Sequence, residues 1–423
     1  MKFSKYNFVN QIDGNTVLYN SISGGVLVLD SKYSKVYDAL VDNGKFDEID
    51  DEFKKNLEKG LMIISDNIDE VEMLKSQNTL QRYSDRCLGF TIAPTMECNF
   101  RCPYCYEKGR NYNTMTEEVI EETIKYINEN SKNKDSLGIT WYGGEPLLAV
   151  DIIEAITNGI ENKENLSYRA SLVTNGYLLK KEIALKLKQL HVKGIQITID
   201  GPPHIHNQRR CLPNGEDTFF VILNNIKEAY DILPITIRVN VDKSNINEVD
   251  SILTYIDDFG LNGKVGLYLA PVDDINGTCN SSTCFNGIEF SKEQMDFYLR
   301  NHEKGYSFVN IPRCVPGICG AVSINNVIID PLGHIYKCWD EIGDVNAKAG
   351  DIREKITLNT NYSKWINYQF LTEEKCIECK AMPVCLGGCP YKYIKTGERR
   401  CHPTKYNAKE LVELVYNSRK SQK

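Results

Sequence analysis

No apolar run in this 423-residue chain approaches the roughly 18 residues that a membrane-spanning helix needs, so no membrane segment is expected. The N-terminus, MKFSKYNFVNQ, lacks the apolar core of a secretory signal, and the chain is expected to be cytoplasmic. Basic residues never gather into a stripe. The 50 Lys and Arg interleave with 57 Asp and Glu for a net charge of −7, so no nucleic-acid partner is expected. Tandem repeats and low-complexity tracts are absent as well. Hydrophobic and charged contents of 42% and 25% are ordinary for a globular protein, and the length implies two or three domains. Cysteine is missing before Cys87, yet the chain contains 15. Without a secretory signal, that number points to metal or redox chemistry and away from disulfides.

Four segments follow from the patterning. Residues 1–66 read as a small α+β unit. Two β-branched runs at 17–22 and 26–30 flank Ser23-Gly24-Gly25, a hairpin signal. A helix from Asp30-Ser31 to Leu40, a second at 48–59 stopped by Gly60 and an apolar run at 61–64 follow. Residues 67–86 are polar with helical spacing and read as a helical connector. Residues 87–290 alternate strands (88–95, 137–142, 170–174, 194–200, 235–242, 264–272) with helices (116–130, 151–162, 179–190, 218–232, 246–259). Six strands with crossover helices predict an α/β unit with a parallel sheet buried on both faces. Such a sheet can curl into a partial (β/α)6 barrel with functional residues at the strand C-terminal ends. Residues 291–423 are irregular and cysteine-rich, with a hairpin signal around Asp330-Pro331-Leu332-Gly333 and a closing helix at 408–418.

Cys98, Cys102 and Cys105 follow the first of these strands with the spacing C-x3-C-x2-C. Three thiolates leave one iron of a 4Fe–4S cubane without a protein ligand, and an open metal position is what coordination of a substrate or cofactor requires. Zinc is the alternative, although its sites ordinarily use two C-x2-C pairs and four ligands. The motif, with aromatic Tyr104 before its third cysteine and its place after strand one, resembles the radical S-adenosylmethionine (SAM) superfamily. That resemblance implies SAM on the open iron, one-electron cleavage of its sulfonium and a 5′-deoxyadenosyl radical that abstracts hydrogen. It also implies an electron donor such as flavodoxin or ferredoxin.

Gly143-Gly144-Glu145-Pro146 closes the second strand and looks like the family's GGEP motif, which meets the methionine part of SAM. Adjacent glycines let backbone approach a ligand closely, and a Glu before proline stays extended. Thr174-Asn175 and Thr198 with Asp200 end strands three and four, where the family contacts ribose and carboxylate. Ordinary turn and capping chemistry is the plainer account of these residues. The stretch holding His204, His206, Arg209 and Arg210 resembles the family's DGP…H…R segment, which implies Arg209 or Arg210 on the SAM carboxylate. Solvent exposure is the alternative for either histidine.

Toward the C-terminus the pattern is Cys319-x13-Gly333-x4-Cys338, then Cys376-x2-Cys379-x5-Cys385-x3-Cys389, then Cys401. It resembles the SPASM domain of many peptide-modifying radical SAM enzymes. With Cys314, the resemblance implies two more 4Fe–4S clusters. Cys314, Cys319, Cys338 and Cys389 would hold the first auxiliary cluster, and Cys376, Cys379, Cys385 and Cys401 the second. Taken alone, Cys376, Cys379, Cys385 and Cys389 also suit a zinc ribbon. If Cys314 is no ligand, the first auxiliary cluster has an open iron. Cys87, Cys211, Cys279 and Cys284 match no motif and are expected to be structural or free thiols.

Sulfatase-activating members of this family carry an Asp base directly after the cysteine equivalent to Cys338. Here Trp339 stands there, with Asp340 and Glu341 beyond, which favours peptide maturation and leaves Asp340 as a displaced candidate base. Residues 1–66 resemble the winged-helix element that binds leader peptides, physically by strand addition at a sheet edge. A capping subdomain without a ligand is the alternative. The expectation is a maturase acting on a ribosomally made precursor peptide with a leader sequence, using three 4Fe–4S clusters and SAM to join Cys to carbon as a thioether. Epimerisation, carbon–carbon crosslinking and oxidation of Ser or Cys to formylglycine share its first step. The reading from another class is a metal-stabilised binding module with a silent barrel, against which the three-cysteine motif beside GGEP speaks.

Overall fold

The computed structural model describes residues 1–421 apart from 106, 108, 111, 162–164, 275–276, 278–281, 307–310, 316, 318 and 355–358, so Cys279 lies outside the described residues. The chain divides into two compact units. One comprises Met1–Gln81, Asn286–Ile318 and Gln369–Lys423, the other Arg82–Phe285 and Cys319–Tyr368.

The first unit opens with β1 (Lys2–Phe3), β2 (Asn7–Ile12), β3 (Asn15–Asn20) and β4 (Val26–Leu29), of which β2–β4 form an antiparallel sheet. Asp13-Gly14 joins β2 to β3 with both residues at positive φ (49° and 75°), the two-residue turn whose twist matches that of paired strands. Asp30 caps helix Ser31–Asn43 by accepting from the Lys32 and Tyr33 N–H groups at 2.9 Å, and Gly44 ends it in the left-handed region. Asp50 caps Asp51–Lys59 through the Phe53 N–H. β5 (Ile63–Ile64) pairs with β1, and Leu18, Leu40, Leu57 and Met62 fill the core. The C-terminal helix Thr404–Ser421 lays Ala408 and Val412 against Ile12, Val17 and Tyr19. Its Leu411 and Leu414 pack on Met295 of Gly287–Glu303. That last helix falls largely where the sequence suggested irregular chain.

The second unit is built on nine strands: β6 (Cys87–Ile92), β7 (Ser136–Trp141), β8 (Ser167–Thr174), β9 (Val192–Thr198), β10 (Ile235–Val241), β11 (Gly266–Pro271), β12 (Asn326–Ile329), β13 (His334–Tyr336) and β14 (Gly350–Asp351). Their order is β11-β10-β9-β8-β7-β6-β12-β13-β14. β6 to β11 are parallel throughout, as six strands with crossover helices require. The hairpin β12–β13 belongs to this same sheet, because β12 runs parallel beside β6.

The sheet is not apolar on both faces. In β10, Ile235, Ile237, Val239 and Val241 are buried while Thr236, Arg238 and Asn240 point to the other side. The Thr140 and Ser171 hydroxyls of β7 and β8 likewise meet at 3.0 Å. This polar alternation marks the face that carries the site.

Candidate active site

The C-terminal ends of the parallel strands open onto a cleft of about 350 Å³. Cys98, Cys102, Tyr104 and Cys105 line it from the loop after β6, Gly143 and Gly144 after β7, and Thr174 and Asn175 at the end of β8. Thr198, Arg210, Arg238, Asn240, Trp339 and Asp340 line it further, and the carboxylates of Glu107 and Asp273 share the same wall.

Burial pushes the Cys98 thiol up to about 12 and that of Cys105 to about 11, and raises Cys102 as well. The Cys102 charge adds to the rise at both neighbours, so the three thiols act on one another. Left as thiols they are weak nucleophiles. A metal reverses that, since a coordinating thiol is deprotonated outright. Among the described residues, no three His, Cys, Asp or Glu side chains converge as the ligands of a single ion would. A cubane asks for something else, because each thiolate takes its own iron. An all-sulfur donor set suits that group.

Gly143 and Gly144 do their work against protein rather than open space. A Cβ on Gly143 (φ 107°) would lie 2.3 Å from the Thr95 carbonyl oxygen, and one on Gly144 would lie 2.3 Å from that of Glu97. The Gly144 and Glu145 N–H groups donate to those same two carbonyls at 3.2 and 2.8 Å. Only glycine lets the end of β7 press this closely on the segment leading into Cys98. Glu145 is fully buried and accepts from Thr174 Oγ1 (2.6 Å), the Asn175 N–H (2.7 Å) and the Leu147 N–H (3.0 Å). Burial raises its carboxyl pKa in spite of those bonds. Pro146 begins the short helical turn Pro146–Ala149 that Glu145 caps. Asn175 Nδ2 donates to Asn99 Oδ1 at 2.7 Å, tying the end of β8 to the cysteine loop.

A second network surrounds Tyr104. Its hydroxyl donates to Asp200 Oδ2 and accepts from Arg210 Nη1 at 2.8 Å. Arg209 donates to Asp200 (3.3 Å) and Asp242 (2.8 Å), with its guanidinium 4.9 Å from the Tyr104 ring. Arg209 is thus committed to two carboxylates, and Arg210 is the member of the pair that lines the cleft. Arg210 Nε is buried without a hydrogen-bond partner among the described residues, a position that a polar ligand in the cleft would satisfy. His206 is fully buried, its Nδ1 accepting from the Asp200 N–H (3.3 Å) and its Nε2 facing Thr218 Oγ1 (3.1 Å). His204 is exposed and pairs with Glu248 at 2.6 Å.

Trp339 lies tilted on Tyr142 with ring centroids 4.4 Å apart, and its indole N–H donates to Thr91 Oγ1 at 3.1 Å. Asp340 is partly buried, which raises its carboxyl pKa, and the Cys338 thiol donates to its Oδ2 at 3.6 Å. Arg238 and Asn240 had no place in the sequence-derived site. The signal for them was there, as polar residues alternating within an otherwise apolar strand.

Of the remaining thiols, Cys376, Cys379, Cys385 and Cys401 share the first unit. The Cys401 charge reaches both Cys376 and Cys385, and that of Cys379 reaches Cys385. Lys405 Nζ donates to Cys401 Sγ at 3.5 Å. Cys314 and Cys389 also fall in the first unit, whereas Cys319 and Cys338 fall in the second. Cys87, Cys211 and Cys284 form no disulfide among the described residues, and the Cys211 carbonyl accepts the Arg101 N–H at 3.0 Å beside the cysteine loop.

Known proteins share this plan. The family model described as the Radical SAM superfamily matches residues 92–256. The radical SAM cyclopropyl synthase TigE of Paramaledivibacter caminithermalis is 24% identical over 444 residues, spanning 91% of this chain and 89% of its own. A cysteine-type anaerobic sulfatase-maturating enzyme of Clostridium perfringens is 25% identical over 364 residues, or 78% of this chain and 93% of its own. The crystal structure of Streptococcus suis SuiB bound to the precursor peptide SuiA superposes with a TM-score of 0.54 at 14% identity, covering 95% of this chain and 98% of that one.

Proposed function

Because the chain belongs to the radical SAM superfamily and is an enzyme, we propose that it matures a ribosomally made precursor peptide, removing hydrogen from one residue and joining a cysteine sulfur to that carbon as a thioether. The observation that carries this reading is one cleft onto which the thiols of Cys98, Cys102 and Cys105, the side chain of Arg210 and the Trp339–Asp340 pair all open.

Cys98, Cys102 and Cys105 would hold a 4Fe–4S cluster. Tyr104, Gly143, Gly144, Thr174, Asn175, Thr198 and Arg210 would face SAM, while Glu145, Pro146, Asp200 and Arg209 brace them. Bound there, cluster and SAM supply the 5′-deoxyadenosyl radical that takes a hydrogen atom from the substrate. The protein's own part is to position the peptide carbon, keep water out and manage one proton. Asp340, whose carboxyl pKa is raised by burial, is the candidate acceptor of the cysteine thiol proton. A C–H and an S–H bond are lost and a C–S bond is gained. One hydrogen leaves as an atom, the other as a proton to Asp340, and the electron left over would pass to an auxiliary cluster held by the C-terminal cysteines, so the product is two hydrogens lighter.

The remaining features fit the same enzyme. We take the parallel sheet to be a partial barrel and the cysteines from Cys314 to Cys401 to be a SPASM domain holding two auxiliary 4Fe–4S clusters. The β2–β4 sheet with its two helices offers sheet edges for an extended leader. SuiB, structurally similar over 95% of this chain, holds a precursor peptide, which supports a peptide substrate here. Flavodoxin or ferredoxin would donate the electron. No helix among the described residues is long and apolar enough to cross a membrane. Similarity to a sulfatase-maturating enzyme favours a second reading, oxidation of Ser or Cys to formylglycine. Trp339, occupying the position after Cys338, counts against it.

Anaerobic reconstitution tests the cofactor reading. About twelve irons per chain are expected from three cubanes, together with reductive cleavage of SAM to 5′-deoxyadenosine. Replacing Cys98, Cys102 and Cys105 by Ala should abolish the cleavage. Iron-free protein with stoichiometric zinc would overturn the enzyme reading of the cluster. Co-expression with a short Cys-containing precursor should then yield a peptide two hydrogens lighter, whereas an unchanged mass with an inverted centre would identify an epimerase.

A further inference from the structure

We infer that Arg238, oriented by Asn240, forms a carboxylate-binding subsite in the wall of the cleft. This rests on the reading of the cleft as the chamber that holds SAM and substrate. Arg238 sits on β10 between the fully buried Ile237 and Val239, so its backbone is anchored on both sides. Its Nε donates to Asn240 Oδ1 at 2.9 Å, which fixes the plane of the guanidinium and leaves the two Nη groups to the cleft.

The cleft's other arginine, Arg210, is turned toward the cysteine loop: it donates to Tyr104 and feels the charges of Cys102 and Asp200. Arg209, outside the lining, is neutralised by Asp200 and Asp242. Among the described residues Arg238 has no carboxylate partner. Its charge reaches Asp340 and favours the ionised form of that side chain, yet no hydrogen bond joins them. A half-buried cation hydrogen-bonded to one neutral amide and joined in no ion pair among the described residues keeps its fork available, and a guanidinium fork matches a carboxylate bidentately. A single negative charge suits it better than a phosphate dianion, which would also meet the carboxylates of Asp340, Glu107 and Asp273 in the same small cleft.

Two molecules could bring that carboxylate, namely an acidic residue or C-terminus of the peptide, and the methionyl end of SAM. Two probe pairs separate them on the anaerobically reconstituted full-length chain by isothermal titration. One pair is SAM and decarboxylated SAM. The other is N-acetyl-aspartate N-methylamide and its asparagine counterpart. In R238Q the preference for the carboxylate member of one pair should fall by about ten-fold, as for a lost hydrogen bond to a charged group, while affinity for the partner without it stays unchanged. R238K, which keeps the charge but not the fork, should recover only part of the preference. A fall in the SAM pair assigns the subsite to SAM, and a fall in the aspartate pair assigns it to the substrate. If both ratios are the same in wild type and R238Q, the inference is overturned. Binding alone is read here, so failure to find a modified peptide leaves this result standing.

Discussion

Arg210 donates to the hydroxyl of Tyr104 at 2.8 Å, which places the residue before the third cysteine of the loop under the control of the segment beyond β9. The same hydroxyl donates to Asp200, so a single phenol links a cation and an anion. Tyr104→Phe keeps the ring over which Arg209 lies and deletes both bonds. Hydrogen bonds to charged groups contribute about 1.5–3 kcal/mol, so SAM affinity should fall about ten-fold or more. Iron content should not change. Anaerobic binding and an iron assay on one preparation check both halves. Lost iron would show that Tyr104 supports the cluster loop itself.

Gly144→Ala should be worse than a ligand-contact mutation. The new methyl would face the Glu97 and Met96 carbonyl oxygens at 2.3 and 2.5 Å, both backbone atoms that cannot swing aside. The segment entering Cys98 must then move. We expect destabilisation of about 2–3 kcal/mol, visible in thermal melts of the cluster-free chain, together with poor iron incorporation. A wild-type melt would show that the loop before Cys98 can shift without cost.

The neutral state of His206 gives the site a pH dependence. Its Nδ1 accepts from Asp200 N–H, which leaves the Nε2 proton for Thr218 Oγ1, whose hydroxyl donates to the Arg210 carbonyl at 2.6 Å. Burial first, and then Arg210 and Arg209, hold its pKa well below the ordinary histidine value. The unfolded chain takes up this proton near pH 6.5 and the folded chain does not. Stability from this group is therefore complete above that pH and is lost as pH falls below it, by up to about 1.4 kcal/mol per pH unit. Denaturant melts of the cluster-free chain from pH 7.5 to 5.5 should show that slope, and His206→Gln should remove it. An unchanged slope in the variant would assign the acid sensitivity elsewhere.

How far these features were legible differs from element to element. The six parallel strands and the β3–β4 hairpin could be read because β-branched runs, glycine turns and crossover spacing all agreed. β2 went unread although Asp13-Gly14 is a strong hairpin signal, since NFVNQI breaks strict alternation. Gly287–Glu303 was equally open to detection from its Asn286/Glu289 capping box. The short helix Pro203–Arg209 carries no periodicity long enough to register. Within the site, cysteine spacing located the loop, but spacing says nothing about what a neighbouring group touches. That Gly143 and Gly144 face carbonyls, and that Arg209 is neutralised while Arg210 is not, depend on long-range packing. Separations of 30 residues or more, such as Asn175 to Glu145 or Tyr104 to Arg210, leave no local trace.

The C-terminal cysteines offer a test that separates the clusters from one another. Gly388, between Cys385 and Cys389, has φ 80°, and a Cβ there would lie 2.3 Å from the Arg400 carbonyl oxygen next to Cys401. Alanine is disfavoured twice, by its backbone conformation and by the contact. Gly388→Ala should therefore spread Cys401 away from Cys376, Cys379 and Cys385, the four thiols proposed for the second auxiliary cluster. Iron should fall from about twelve to about eight per chain, with the cluster at Cys98, Cys102 and Cys105 retained and SAM still cleaved. Ala at those three cysteines should remove a different set of about four irons and abolish cleavage. Were Gly388→Ala to keep full iron, the four thiols would not share a cluster. Were it to lose SAM cleavage with full iron at the first site, the auxiliary cluster would be tied to the first step of the reaction rather than to a later one.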